Sequence, residues 1–314
     1  MLLAIGDLLE EILIRLDAAP VRGVDSAVRS ARVRGGSAAN VAALDAETGG
    51  TPRFVGQVGD DALGHALVDD LSSRGVDARV AHLGSTGVIV TTVGQGSRTR
   101  LVDRGASRGP ARLDPGALDD IAQIYIAASA FTEDPLATAV DRLLAEIRER
   151  RIPLVLGGPT DADLGLFGVE PFHELVRTAR PDAVVLNRFE HRSLGLHPRE
   201  PLGGAAATII TAGARPTLVL TPKGDADSVP VSPIDTLRDR TGAGDAFLAG
   251  FLASRRTGAD PVSATHAGHR IAARVLRNLG PTTRPAPDFR SRPAATATVA
   301  AQCCWRSATC SKKS

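Results

Sequence analysis

The chain has 314 residues, 43% of them hydrophobic, and a formal charge of +2 with no long single-sign block. That balance leaves no electrostatic footprint for nucleic acid or an anionic membrane surface. No apolar run approaches the roughly 20 residues of a spanning helix.

The opening stretch, MLLAIGDLLEEILIRL, carries Asp7, Glu10 and Glu11 and no basic lead-in. It reads as folded chain rather than a secretory signal, and the expectation is a soluble, cytoplasmic protein. In chain order, short apolar runs predict strands at 2–6, 53–58, 124–129, 153–157, 183–187 and 217–221. Between them, periodic patterns predict helices at 37–48, 61–74, 134–150, 170–179, 203–213, 243–256 and 260–278. Strand and helix in alternation imply an α/β fold, with a mainly parallel central sheet flanked by helices on both faces. Two stretches lack intervening helices: EILIRL (11–16) with ARVRG (31–35), and the strand-rich 78–102. They predict a small separate β-sheet, a lid that shields a site from water or else a plain edge hairpin. After about 288 the composition turns to Ala, Thr, Ser and Arg without periodicity, so 289–314 is expected to be a disordered tail. The three cysteines, Cys303, Cys304 and Cys310, all fall there with no histidine beside them, which suits neither a disulfide framework nor a zinc site.

Three clusters carry chemistry. RDRTGAGDAFLAGFL (238–252) places Gly242, Ala243 and Gly244 at a helix entrance, followed by Asp245. An acid there can be a simple cap, but small residues also expose the unpaired N–H groups of a first turn to an anion. Asp245 would accept a proton while those amides hold negative charge, as phosphoryl transfer to an alcohol requires. RGGSAANVAAL (34–44) puts Gly35 and Gly36 ahead of a second helix and Asn40 one turn in. The glycines permit either close ligand approach or a tight, closely packed turn, and Asn40 can donate to and accept from sugar hydroxyls. VVLNRFEH (184–191) sets Asn187 and Glu190 just past a strand end, either an ordinary pairing or a holder of hydrated Mg²⁺ near phosphates.

Together these stretches resemble the PfkB/ribokinase-like carbohydrate kinases. GGSAANVAA with FVGQVGDDALGHALVDDLSSRGVDA is similar to the amino-terminal signature, and DRTGAGDAFLAGFL to the carboxy-terminal one. TGVIVTTV and GSRTRLVDRGA resemble the lid and substrate-side segment. The resemblance runs in order through about 1–285. It implies a ribokinase-like kinase domain over 1–288, with a lid from about 10–16, 31–35 and 78–102. The implied reaction is ATP-dependent phosphorylation of a ribose- or fructose-type sugar, with Mg²⁺ accompanying ATP, a monovalent cation such as K⁺, and a homodimer formed through the lid. An adenosine-type nucleoside kinase and a weakly catalytic sugar or nucleotide sensor are the alternatives. By the same resemblance Asp245 is the general base and Gly242, Ala243 and Gly244 the anion hole. Asp7, Gly35, Gly36, Asn40 and Arg104 bind the acceptor. Asn187, Thr221, Lys223, Gly224 and Asp239 serve the nucleotide, and Glu190 serves Mg²⁺ through water.

The sequence departs from the family pattern at several points. Arg240 replaces a usual Thr, Lys223 replaces a loop glycine, and Glu11 stands for a shorter acid. VLGGP (155–159) lacks a common Asp, and Arg188 replaces a Glu. Only 18 positions separate Thr221 from Asp239, so the hairpin expected beside the adenine is trimmed.

Overall fold

The structure is a computed structural model and describes residues 1–94, 97–110, 112, 113 and 115–284. The chain opens with β1 (Leu2–Ile5), four apolar residues that are all buried, then leaves the core through β2 (Leu9–Arg15) and β3 (Arg29–Gly35). It returns as α1 (Ser37–Glu47), β4 (Pro52–Val58), α2 (Ala62–Ser73) and β5 (Asp77–His82). A second excursion is β6 (Thr86–Gly94) and β7 (Ser97–Gly105). The remainder runs β8 (Gln123–Ile126), α3 (Leu136–Arg150), β9 (Leu154–Gly157), α4 (Asp161–Phe167), α5 (Val169–Ala179), β10 (Ala183–Asn187) and α6 (Arg188–Ser193). It closes with β11 (Thr208–Ala212), β12 (Arg215–Leu220), β13 (Ala226–Val229), α7 (Ala243–Arg256) and α8 (Pro261–Val275).

The main sheet has the order β13-β12-β11-β10-β9-β8-β1-β4-β5. Every pairing from β11 across to β5 is parallel, and β12 and β13 add an antiparallel edge. Helices cover both faces, which is why the central strands are apolar throughout rather than alternating. In β1, Leu3 and Ile5 join one core with α3 and α5, while Leu2 and Ala4 join the other with α1 and α7. Asp7 and Gly158 follow carboxyl ends of strands and Asn187 ends one, where parallel sheets open to ligands.

The second sheet is separate, with order β3-β2-β6-β7. It contains the two predicted excursions, with one correction. Residues 77–82 do not belong to it: β5 pairs in parallel with β4 as the edge of the main sheet. The preceding helix α2 supplies the crossover a parallel strand needs. A second correction concerns 203–213, predicted helical. The β-branched run Thr208, Ile209, Ile210 and Thr211 forms β11, with its first three residues buried. Branched side chains lose rotamer freedom in a helix and pack well on a pleated surface. The predicted tail, 289–314, with its three cysteines, lies outside the described residues.

Candidate active site

Two helix entrances, those of α1 and α7, meet at Asp245. Gly242 is the N-cap of α7, at φ 77°, and no side chain caps it. A Cβ at Gly242 would come within 2.4 Å of Pro281, so both conformation and packing require glycine there. Gly244 differs: its φ is not positive and an added Cβ would meet nothing within 4 Å. Neither fold nor packing explains a glycine one residue inside a helix, where it costs roughly 0.5–1 kcal/mol against alanine. Bare backbone open to solvent is what it provides. The Ala243 N–H donates to the Arg240 carbonyl at 3.2 Å, and the first main-chain helical bond is Ala246 N–H to Gly242 O at 2.8 Å. Among the described residues, no acceptor takes the N–H groups of Gly242, Gly244 or Asp245. The anion hole expected at 242–244 is therefore open at Gly242 and Gly244, and its third free amide is that of Asp245. The Ala243 amide is already engaged.

The Asp245 carboxylate is aimed by α1. The Ser37 hydroxyl donates to its Oδ1 at 2.7 Å and the Asn40 amide to its Oδ2 at 2.9 Å. The Asn40 carbonyl in turn accepts from Arg34 Nε at 3.1 Å, which fixes which end of the amide faces Asp245. Since the Ser37 proton is committed to Asp245, the Tyr125 hydroxyl, 2.9 Å from Ser37 Oγ, is the donor to serine. Burial pushes the Tyr125 hydroxyl up, so it remains a neutral donor. Burial also raises the Asp245 carboxyl, opposed by the bonds from Ser37 and Asn40; Glu11 adds to the rise and Arg100 opposes it.

Asp7 and Arg104, both expected to bind acceptor, are bonded to each other, Arg104 Nη2 donating to Asp7 Oδ1 at 2.6 Å. Arg104 also donates to the Ser129 carbonyl at 2.9 Å and the Thr132 hydroxyl at 2.6 Å, while its Nε is buried without a partner. Burial raises the Asp7 carboxyl and Arg104 pulls it back. Gly36, at φ 96°, would drive a Cβ to 2.1 Å from the Asp7 carbonyl oxygen, and a Cβ on Gly35 would come within 2.8 Å of Leu9. Tight packing of the α1 entrance is thus sufficient reason for both glycines. In the second sheet, Glu11 is buried and accepts from Thr91 Oγ1 at 2.6 Å and Arg98 at 3.2 Å.

Asn187 and Glu190 form a reciprocal capping box on α6. The Asn187 side chain accepts from the N–H groups of Phe189 and Glu190 at 2.8 and 3.0 Å, and Glu190 Oε2 accepts from Asn187 N–H at 2.7 Å. Even so, the Glu190 carboxyl is pushed up to about 7, by burial first, with Asp163, Asp161 and Asp245 adding repulsion and the Asn187 bond opposing it. Gly158 makes room for it, since a Cβ there would sit 2.4 Å from Glu190 Oε2. Gly157 does the same for Tyr125, whose hydroxyl would lie 2.6 Å away. Asp239 organises the loop before α7: its Oδ1 takes the Thr241 N–H and hydroxyl, and its Oδ2 takes the Gly280 N–H at 2.9 Å. Thr221, Lys223 and Gly224 lie in the tight turn between β12 and β13, with Gly224 N–H donating to Thr221 O at 3.0 Å. They make no bond to the groups around Asp245. Sequence reasoning missed Ser37, Arg34 and Tyr125 as a supporting set. Ser37 stood inside a quoted motif, whereas nothing local marks Tyr125.

A three-layer α/β domain with a separate four-stranded sheet, and a carboxylate beside free helix-entrance amides, defines the ribokinase-like class. Residues 2–288 match the pfkB family carbohydrate kinase family, and the chain belongs to it. It is 27% identical over 268 residues to ribokinase of Bacillus subtilis, covering 79% of this chain and 83% of that protein. It is 28% identical over 297 residues to the ATP-dependent ribose-1-phosphate kinase of Halopiger xanaduensis, covering 91% and 95%. Among solved structures, adenosine kinase from Sinorhizobium meliloti superposes with a TM-score of 0.78 at 21% identity, covering 89% of this chain and 94% of that one. The protein is a kinase acting on a sugar or nucleoside.

Proposed function

We propose that this kinase transfers the γ-phosphoryl group of ATP to a hydroxyl of a ribose- or fructose-type sugar. The observation that carries this reading is the Asp245 carboxylate, held by Ser37 and Asn40 beside the free amides of Gly242 and Gly244. Asp245 takes the proton of the acceptor hydroxyl. The raised carboxyl is a better proton acceptor than an exposed aspartate, and its bonds from α1 keep one geometry. The amides of the α7 entrance, with the helix dipole behind them, stabilise charge on the transferring group without reorganising. Asp7 with Arg104 positions the acceptor from the lid side, and the lid excludes water that would compete as acceptor.

The residues present fit the Mg²⁺ that accompanies ATP. Glu190 sits among Asp161, Asp163 and Asp245, whose mutual repulsion a divalent cation relieves. When bound, the ion neutralises phosphate charge; Glu190 would hold it through water, and the Asn187 box fixes the carboxylate. A monovalent cation beside Asp239 would share a carboxylate whose two oxygens already accept N–H groups. A lid-to-lid dimer fits Leu101, which is 63% exposed on the face of β7 away from Asp245, and light scattering tests it.

One observation favours a second reading, an acceptor that carries its own anion. Lid register puts Arg98 and Arg100 opposite Val93 and Thr91, on the face that bears Glu11. Arg98 is paired with Glu11, whereas Arg100 forms no salt bridge among the described residues and acts electrostatically on Asp245. ADP release with neutral pentoses, hexoses, nucleosides and sugar phosphates decides between the readings. Turnover of a neutral sugar supports the first and turnover confined to sugar phosphates the second. No turnover of any acceptor at saturating MgATP sinks both.

A further inference from the structure

At the far edge of the main sheet, three side chains that the phosphoryl-transfer cleft does not use converge. His82 is the last residue of β5 and lies opposite Val58, the last residue of β4. Asp60 follows Val58 by two residues, and His65 sits in the first turn of α2. One ligand atom from each of the three lies within 4.8 Å of the other two. The imidazoles of His65 and His82 stack at 4.5 Å between centroids with an 18° interplanar angle, and His65 Nε2 is 3.3 Å from Asp60 Oδ1.

We propose that Asp60, His65 and His82 bind a divalent transition-metal ion of the zinc class. Two imidazole nitrogens and one carboxylate oxygen form the donor set that suits zinc, nickel or cobalt and disfavours Mg²⁺, which takes oxygen ligands. Ligand atoms on one tetrahedral zinc ion sit about 3.4 Å apart, given Zn–N and Zn–O lengths near 2.0–2.2 Å. The three atoms here lie within 4.8 Å of one another, and the side chains are exposed enough to rotate inward onto a common ion. The backbone beneath them is held. Asp61 caps α2 through the Gly64 N–H at 2.8 Å, and its other oxygen accepts from Thr86 N–H at 2.8 Å. Asp60 N–H donates to Gly84 O at 3.1 Å, and Leu83 N–H to Val58 O at 2.9 Å. Three ligands anchored on rigid elements leave a fourth tetrahedral position for water or a small anion. The place is also specific, because residues 83–85 are the connector from β5 into the lid strand β6.

The test is calorimetric titration of the full chain with Zn²⁺ at neutral pH, in a Cys303→Ser, Cys304→Ser, Cys310→Ser background that removes the thiols as rival ligands. One equivalent is expected to bind, at least tenfold more weakly in His65→Ala and in His82→Ala, and unaffected by excess Mg²⁺. Circular dichroism of the two exposed-site variants should match the parent. The inference is overturned if no saturable binding occurs, if Mg²⁺ competes equally, or if the His65→Ala, His82→Ala double variant retains the parent affinity.

Discussion

Replacing Gly244 by alanine should separate stability from function. The added methyl meets no heavy atom within 4 Å and the residue already has helical backbone angles. The substitution therefore removes only the excess freedom of glycine in the unfolded chain. That is worth about 0.4–1 kcal/mol in favour of the folded state. The same methyl stands beside amides that no protein acceptor occupies. If those amides hold the transferring phosphoryl group, the methyl obstructs the approach. Losing one such donor costs roughly 10²–10³-fold in turnover. Urea unfolding and steady-state ADP release, measured on the same preparation, should show a higher midpoint and a turnover lowered at least tenfold. A variant that gains stability and keeps parental turnover would refute the idea that the bare backbone serves the reaction.

Two further outcomes follow from buried charges. Glu190 ionises near 4.5 when unfolded and at about 7 when folded, so the wild type loses stability as pH rises between those values. Glu190→Gln keeps a carbonyl acceptor for the Asn187 N–H and lacks that penalty. Allowing for its partly exposed rim, it should be more stable than wild type by about 1–3 kcal/mol at pH 8 and equal below pH 4.5. Urea midpoints at the two pH values test this, and a pH-independent difference contradicts it. Turnover of the same variant should need more Mg²⁺. Asp45 on α1 is fully buried and paired with Arg256 at the end of α7, so the pair ties together the two helices whose entrances build the site. Asp45→Ala strands a cation and should cost about 3–5 kcal/mol, read as thermal or urea unfolding. Asp45→Ala with Arg256→Leu should recover part of that loss.

The sequence made much of this site legible because its chemistry is locally encoded. A Gly-Ala-Gly run ahead of an apolar helix set α7 at 243–256, with the bounds the structure has. What escaped depends on long-range pairing. Tyr125 reaches Ser37 across 88 positions and Ser37 reaches Asp245 across 208, and neither register can be read from composition. Asn187 and Glu190 were ambiguous by nature. An i, i+3 amide and carboxylate after a strand describes a capping box as well as a phosphate-side site, and here the box is built. Gly35 and Gly36 fitted a packed turn more readily than a ligand, and the approach of Asp7 and Leu9 shows that packing demands them. The apolar 203–213 pattern concealed a strand whose identity comes from its first four, β-branched residues.

The most direct measurement is the turnover number of Asp245→Asn at saturating acceptor and MgATP, alongside calorimetric affinities for both. The asparagine nearly preserves shape and can still be held by Ser37 and Asn40, but it cannot take a proton. Turnover should fall by roughly 10²–10⁴-fold with both affinities within a few-fold of wild type. Turnover within tenfold of wild type would contradict Asp245 as the base and, with it, the central account.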